Sequence, residues 1–144
     1  MVIGAGELQD LQQFLAATPP DSDLAFLVTA PSLAADDLAT LLQPHTVMPV
    51  CWAEMGTQLS PRTVVVVPPS CVLQAVVPSL HLDLVERSDP APIDACFRVV
   101  AQALGARAIG VLLAGEGADG ALGLTHIREG GGLAAVQDST GMRT

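Results

Sequence analysis

Two glycine-rich turns carry the candidate chemistry of this chain: V-I-G-A-G-E-L-Q, residues 2–9, and L-L-A-G-E-G-A-D-G-A-L-G-L, residues 112–124. In each, an apolar run of strand type enters glycines and leaves as a helical pattern. α/β proteins use that arrangement to cradle a phosphate or to present a nucleophile. The first turn has Gly4 and Gly6 of a dinucleotide fingerprint, but Gln9 stands at the third place. A small residue is needed there so that the helix can pack closely on the strand. The ribose-binding acid is also missing, because the second strand ends V-T-A-P, Val28 to Pro31, and Asp21 and Asp23 lie ahead of it. The spacing argues against a nucleotide cofactor. In the second turn, Asp119 is placed to cap the helix that follows, and backbone amides there could hold an anion. Glu116 and Asp119 oppose a phosphate in that mouth unless a metal intervenes. A structural cap and a site role for Asp119 are both open on these residues.

The remaining reactive side chains read as ordinary. His45 follows Pro44 in a loop, His81 lies in a hairpin and His126 in a helix pattern. None stands at a strand's carboxyl end, so each is expected at the surface. The serines neighbour Pro, Asp or Gly as turn formers, and no G-x-S-x-G elbow exists. Ser32, just after the second strand, reads as the N-cap of a helix over 33–42. Asp36 and Asp37 would then complement that helix's dipole, while Glu54 and Glu86 flank strands. Cys51 is expected to be buried in its strand. Cys96, in a helix without a basic neighbour, is expected to pack rather than react.

The elements that must position these groups are legible from periodicity. Short runs rich in Val, Ile and Leu predict strands over 2–5, 24–29, 50–53, 63–67, 108–114 and 133–137. Helical spacing predicts helices over 8–17, 33–42, 92–104 and 120–128. Gly105 and Gly130–Gly132 are expected to end the last two helices, and Pro68-Pro69 to stop the V-V-V-V strand. Residues 71–86 alternate apolar and polar, as an antiparallel hairpin with one wet face does. The expected fold is α/β: an open, mainly parallel sheet with helices on both faces, a Rossmann-like three-layer sandwich, plus that hairpin. Sites in such sheets form at the carboxyl ends of the strands.

Composition bounds the function. The chain has 144 residues, half of them apolar, with no run near a membrane span of ~18 residues. No basic region precedes the apolar start, which argues against a signal peptide and membrane insertion. Cys51, Cys71 and Cys96 have no C-x-x-C spacing, which favours reduced cytoplasmic thiols over disulfides or a zinc or other metal site. The net charge of −9 repels phosphate backbones, and with no tyrosine there is little to stack on bases, so nucleic acid is a poor partner.

The run A-P-I-D-A-C-F-R-V-V-A-Q-A-L-G-A-R-A-I-G-V-L-L-A-G-E-G-A-D-G-A-L-G-L, residues 91–124, closely resembles the chemotaxis protein-glutamate methylesterase domain, CheB. The resemblance continues through G-G-G-L-A-A-V-Q-D, residues 130–138, and M-P-V-C-W-A-E-M-G-T-Q-L-S-P-R-T-V-V-V-V-P-P, residues 48–69, and so covers nearly the whole chain. It implies an α/β sandwich that hydrolyses methyl esters of receptor glutamates with a serine, a histidine and an aspartate, and no cofactor. The aspartate matches Asp119. The serine is expected in I-G-A-S-x-G-G, but this chain reads I-G-A-G-E-L and Gly6 stands in its place. The histidine is expected in V-x-Q-H, and V-T-A puts Ala30 there. The cleft implied by the resemblance is lined by Gly4, Ala5, Gly6, Thr29, Ala30, Gly115, Glu116 and Gly117, with Glu116 beside the oxyanion position.

With glycine for nucleophile and alanine for base, the acyl-enzyme route is closed. The resemblance then implies a non-catalytic binding or scaffolding module in chemosensory signalling, with a protein partner or a second copy of itself. The alternatives are residual ester hydrolysis, through Ser32 for instance, and anion or nucleotide binding at the glycine turns. Residues 1–144 are expected to form one domain, with no receiver domain ahead of them. Beyond 141–144, family members continue into a further helix and strand.

Overall fold

The computed structural model describes residues 1–31, 33, 37–69, 71–77, 79–84, 91–113, 119–138 and 141–143. In chain order, β1 (Val2–Ala5), α1 (Leu8–Ala17) and β2 (Phe26–Thr29) lead to a short α2 (Leu38–Leu42). There follow β3 (Val50–Trp52), β4 (Val64–Val66), β5 (Cys71–Ala75) and β6 (His81–Leu84). The chain ends with α3 (Pro92–Leu104), β7 (Ile109–Leu113), α4 (Ala121–Glu129), β8 (Leu133–Asp138) and β9 (Gly141–Arg143). The sheet runs β3-β4-β2-β1-β7-β8-β9, parallel except for β9, and β5-β6 form a separate antiparallel pair. This is the three-layer α/β sandwich expected from the sequence.

Strand alternation divides the core into two. Val2, Leu27 and Val65 face α3, α4 and the hairpin, packing with Phe97, Ile127 and Leu73. Ile3, Val28 and Val66 face α1 and α2, packing with Leu11, Leu15 and Leu42. The central strands are therefore buried on both faces, and this is why they read as unbroken apolar runs.

Two glycines set the layer spacing above β1. A Cβ on Gly4 would lie 2.6 Å from Ile93 Cγ2, and one on Gly123 would lie 2.6 Å from Phe97 Cβ and 3.1 Å from the Asp94 Cα. Helix α3 thus rests directly on β1 and against α4, with no room for a methyl at either contact.

Some boundaries differ from the sequence expectations. The described helix α2 starts at Leu38, not Leu33. The Leu33 N–H instead donates to the Ala30 carbonyl at 3.0 Å, closing a turn with Pro31 at its second position, a place that suits proline's fixed φ. Asp37 stands at the N-cap without a side-chain capping bond, and Ser32 and Asp36 lie outside the described residues, as do Ala114 and Glu86. Strand β9 was not anticipated. Cys51 is exposed rather than buried, because β3 is the last strand on its side and only one of its faces is covered. That edge is guarded: the Val50 N–H donates to Gln43 Oε1 at 2.9 Å, and Gln43 Nε2 donates to the Met48 carbonyl at 2.9 Å. A side chain occupies a backbone donor that would otherwise template another strand.

Replacing Gly123 by alanine sets a helix-propensity gain of about 1 kcal/mol against overpacking. The obstructing atoms are a backbone Cα and a Cβ rather than a flexible tip, so overpacking wins. Gly123→Ala is expected to destabilise the fold by ~1–3 kcal/mol, read as a lower urea midpoint at unchanged slope.

Candidate functional site

Because β1, β2 and β7 are parallel, their carboxyl ends share one edge of the sheet. Gly4 is level with Thr29 and with Leu112, and Ala5 with Leu113. Hence Ala5 and Gly6, Thr29 and Ala30, and Leu113 come together there, at the switch point between the two directions of winding. Ala5 and Ala30 are buried among the α1 and α2 side chains, while Gly6 is half-buried. Thr29 is buried on the opposite face. The structure therefore gathers Gly4, Ala5, Gly6, Thr29 and Ala30 as expected. Gly115, Glu116 and Gly117 lie outside the described residues.

Asp119 is at the start of the next described stretch, but it does not cap α4. Its Oδ2 accepts the Ile93 N–H at 3.1 Å and its Oδ1 the Asp94 N–H at 2.9 Å, so it caps α3. The reciprocal service comes from Asp94, whose Oδ1 accepts the Gly120 N–H at 2.9 Å and the Gly123 N–H at 2.6 Å, at the start of α4. Each helix lends a carboxylate to the other's first turn. Local caps are absent: Ala91 and Gly120 occupy the two N-cap positions, neither with a side-chain bond. This places Asp119 as a cap on α3, which sequence spacing had assigned to the following helix.

Asp94 was missed as a functional residue. Its signal was an acid two residues after the Pro92 that opens α3, in a helix whose N-cap position is Ala91, which has no capping side chain. What could not be read from spacing is that its partner amides lie on another helix.

The histidines stay away from the strand ends. His45 is in a short 3-10 helix and exposed, and His81 opens β6, also exposed. His126, expected at the surface, is half-buried in α4, where it borders a groove with Asp94 and Arg98. Cys96 is buried on α3 and its thiol is pushed up to about 12, chiefly by desolvation, with a hydrogen bond from Thr29 working weakly against it. A neutral, enclosed thiol of this kind is a packing group.

The comparisons with known proteins agree with this fold. A family model described as CheB methylesterase matches residues 1–142. The chain belongs to the CheB methylesterase family. It is 34% identical over 149 aligned residues to protein-glutamate methylesterase/protein-glutamine glutaminase 4 of Anaeromyxobacter dehalogenans, covering 96% of this chain and 41% of that one. A 104.1 kDa protein in the hypE 3' region of Rhodobacter capsulatus is 36% identical over 104 residues, 70% of this chain and 11% of its own. This chain therefore spans well under half the length of these relatives. The Thermotoga maritima CheB methylesterase catalytic domain superimposes with a TM-score of 0.78 at 24% identity, over 92% of this chain and 76% of that one, which establishes the shared fold. No described helix is long and apolar enough to cross a membrane.

Two measurements test the site as built in this CheB-family domain. Asp94→Ala and Asp119→Ala are each expected to cost ~1–2 kcal/mol, the worth of a lost cap, and the double variant is expected to depart from additivity because the pair shares one pair of helix ends. Denaturant unfolding of the four proteins supplies the cycle. For Cys96, the folded thiol holds its proton to about 12 against an ordinary 9.0. The unfolded chain deprotonates first, so this residue's contribution to stability is full below about 9 and is lost as pH rises toward about 12. Native-state alkylation near neutral pH should accordingly modify Cys51 and spare Cys96.

Proposed function

We propose that this CheB-family domain is catalytically inactive and serves as a binding or scaffolding module for a protein partner in cytoplasmic, chemosensory signal transduction. The observation that carries the reading is the pair of residues at the β1 and β2 ends, Gly6 and Ala30. The family resemblance expects serine and histidine at these points. A glycine offers no nucleophile and an alanine no proton acceptor, so neither attack on an ester nor its activation has an agent. Loss of the nucleophile from such a triad typically costs about a million-fold in turnover.

Further support comes from the other groups. None of the three histidines lies at these strand ends. Asp119 has an occupation that needs no imidazole, holding two backbone amides of α3. A capping duty of this kind preserves an aspartate whether or not the domain turns over substrate. The partner is taken to be protein because the relatives that share the domain are longer chains in which it is one part. The signalling context comes from the resemblance of residues 91–124 to the chemotaxis methylesterase domain.

The test is methanol release from a glutamyl-methylated receptor peptide. No release above the protein-free rate is expected at any peptide concentration. Saturable release that disappears in a folded Asp119→Asn variant would overturn the reading and restore ester hydrolysis as the function.

A further inference from the structure

Ala30 is buried with the α1 and α2 core, and Thr29 is buried on the opposite face of the sheet. A cavity of about 110 Å³ lies there, between the end of β2, the Val67-Pro68-Pro69 segment after β4, the hairpin strand β5 and the start of α3. Its walls include Thr29, Val67, Cys71, Leu73, Ala95 and Cys96. They come from separate elements that cannot readily close on one another. The prolines have fixed φ, Thr29 is in the sheet, and the first turn of α3 is held through Ile93 and Asp94 by Asp119.

We propose that this cavity is a binding site for a small neutral ligand with a compact apolar body and one hydrogen-bonding group, of the class of cyclic alcohols and ketones. Three features define the class. First, size: apolar cavities of comparable volume accept benzene, so an occupant of about six non-hydrogen atoms fits. Second, charge: among the described residues no Asp, Glu, Lys, Arg or His lines the space. An ionised group placed there would lose its hydration without a counter-charge, whereas a neutral one loses little. Third, a single handle: among the described lining residues Thr29 carries the one side-chain oxygen, is buried, and bonds to the neutral Cys96 thiol. A hydroxyl both donates and accepts, so it can serve that thiol and a ligand's oxygen together.

The inference stands apart from the question of ester hydrolysis, since it uses neither Gly6 nor Ala30. Nitrogen–proton correlation NMR of the folded chain, titrated with cyclopentanol and with cyclopentanecarboxylate, tests it. Cyclopentanol should give saturable shifts centred on the amides of Thr29, Leu73 and Ala95, with a dissociation constant on the order of 1 mM. The carboxylate should bind at least tenfold more weakly. Ala95→Phe, filling the space from α3, and Cys71→Leu, filling it from the hairpin, should each weaken cyclopentanol at least tenfold while their circular dichroism stays native. Absence of saturable shifts in the unsubstituted protein, equal binding of the carboxylate, or undiminished binding in whichever filled variant folds would each overturn the proposal. Methanol release from the methylated peptide, should it be found, leaves these outcomes unchanged and bears on the other reading alone.

Discussion

Two helix N-termini meet in this domain, and like ends of helix dipoles repel. Each first turn carries backbone N–H groups without helical partners and a positive partial charge of about half an elementary unit. Bringing α3 and α4 together at these ends requires negative charge between them and acceptors for the amides. Asp94 and Asp119 supply both at once, each reaching into the other helix. The exchange fixes the two helices in register. Gly123 can then approach Asp94 and Phe97 closely enough that a Cβ has no place, and α3 can settle on β1 at Gly4. Most of the core on that face, from Phe97 to Ile127, depends on this seating.

The same exchange bears on how an aspartate persists under the inactive reading. A carboxylate has about four lone-pair sites, and two amide bonds leave room for a further donor. Capping and orienting a histidine are therefore compatible uses of one side chain, and losing the second does not release the first. Under this reading, a serine or histidine at a strand end can be lost without unfolding the protein, whereas removal of Asp119 strips two amides of their acceptor.

How much of this the sequence revealed follows from where the determining contacts lie. β1, α1 and α3 have the predicted bounds, because an apolar run between glycines or a long 3.6-residue stripe is local information. Hairpin β5-β6 was equally readable from its alternation. The start of α2 was not, since a turn beginning at Ala30 competes with helix in a stretch whose acids suit either. Burial of Cys51 failed because strand composition does not say which strand is the edge. Asp94 escaped for a deeper reason. Its acceptor role is defined by amides on α4, and no spacing rule along one helix encodes a partner across 26 residues.

The two faces of β2 give its carboxyl end separate fates. Ala30 belongs to the core with α1 and α2, and Thr29 to the side of α3 and the hairpin. A substitution at one of these neighbours changes the space on its own face and leaves the other in place, since consecutive side chains of a strand do not share a wall. Ala30 and Thr29 thus pack on different faces of the sheet although they are adjacent along the chain. The space beside Thr29 is walled by the sheet, by prolines of fixed φ and by a helix whose first turn is pinned by Asp119.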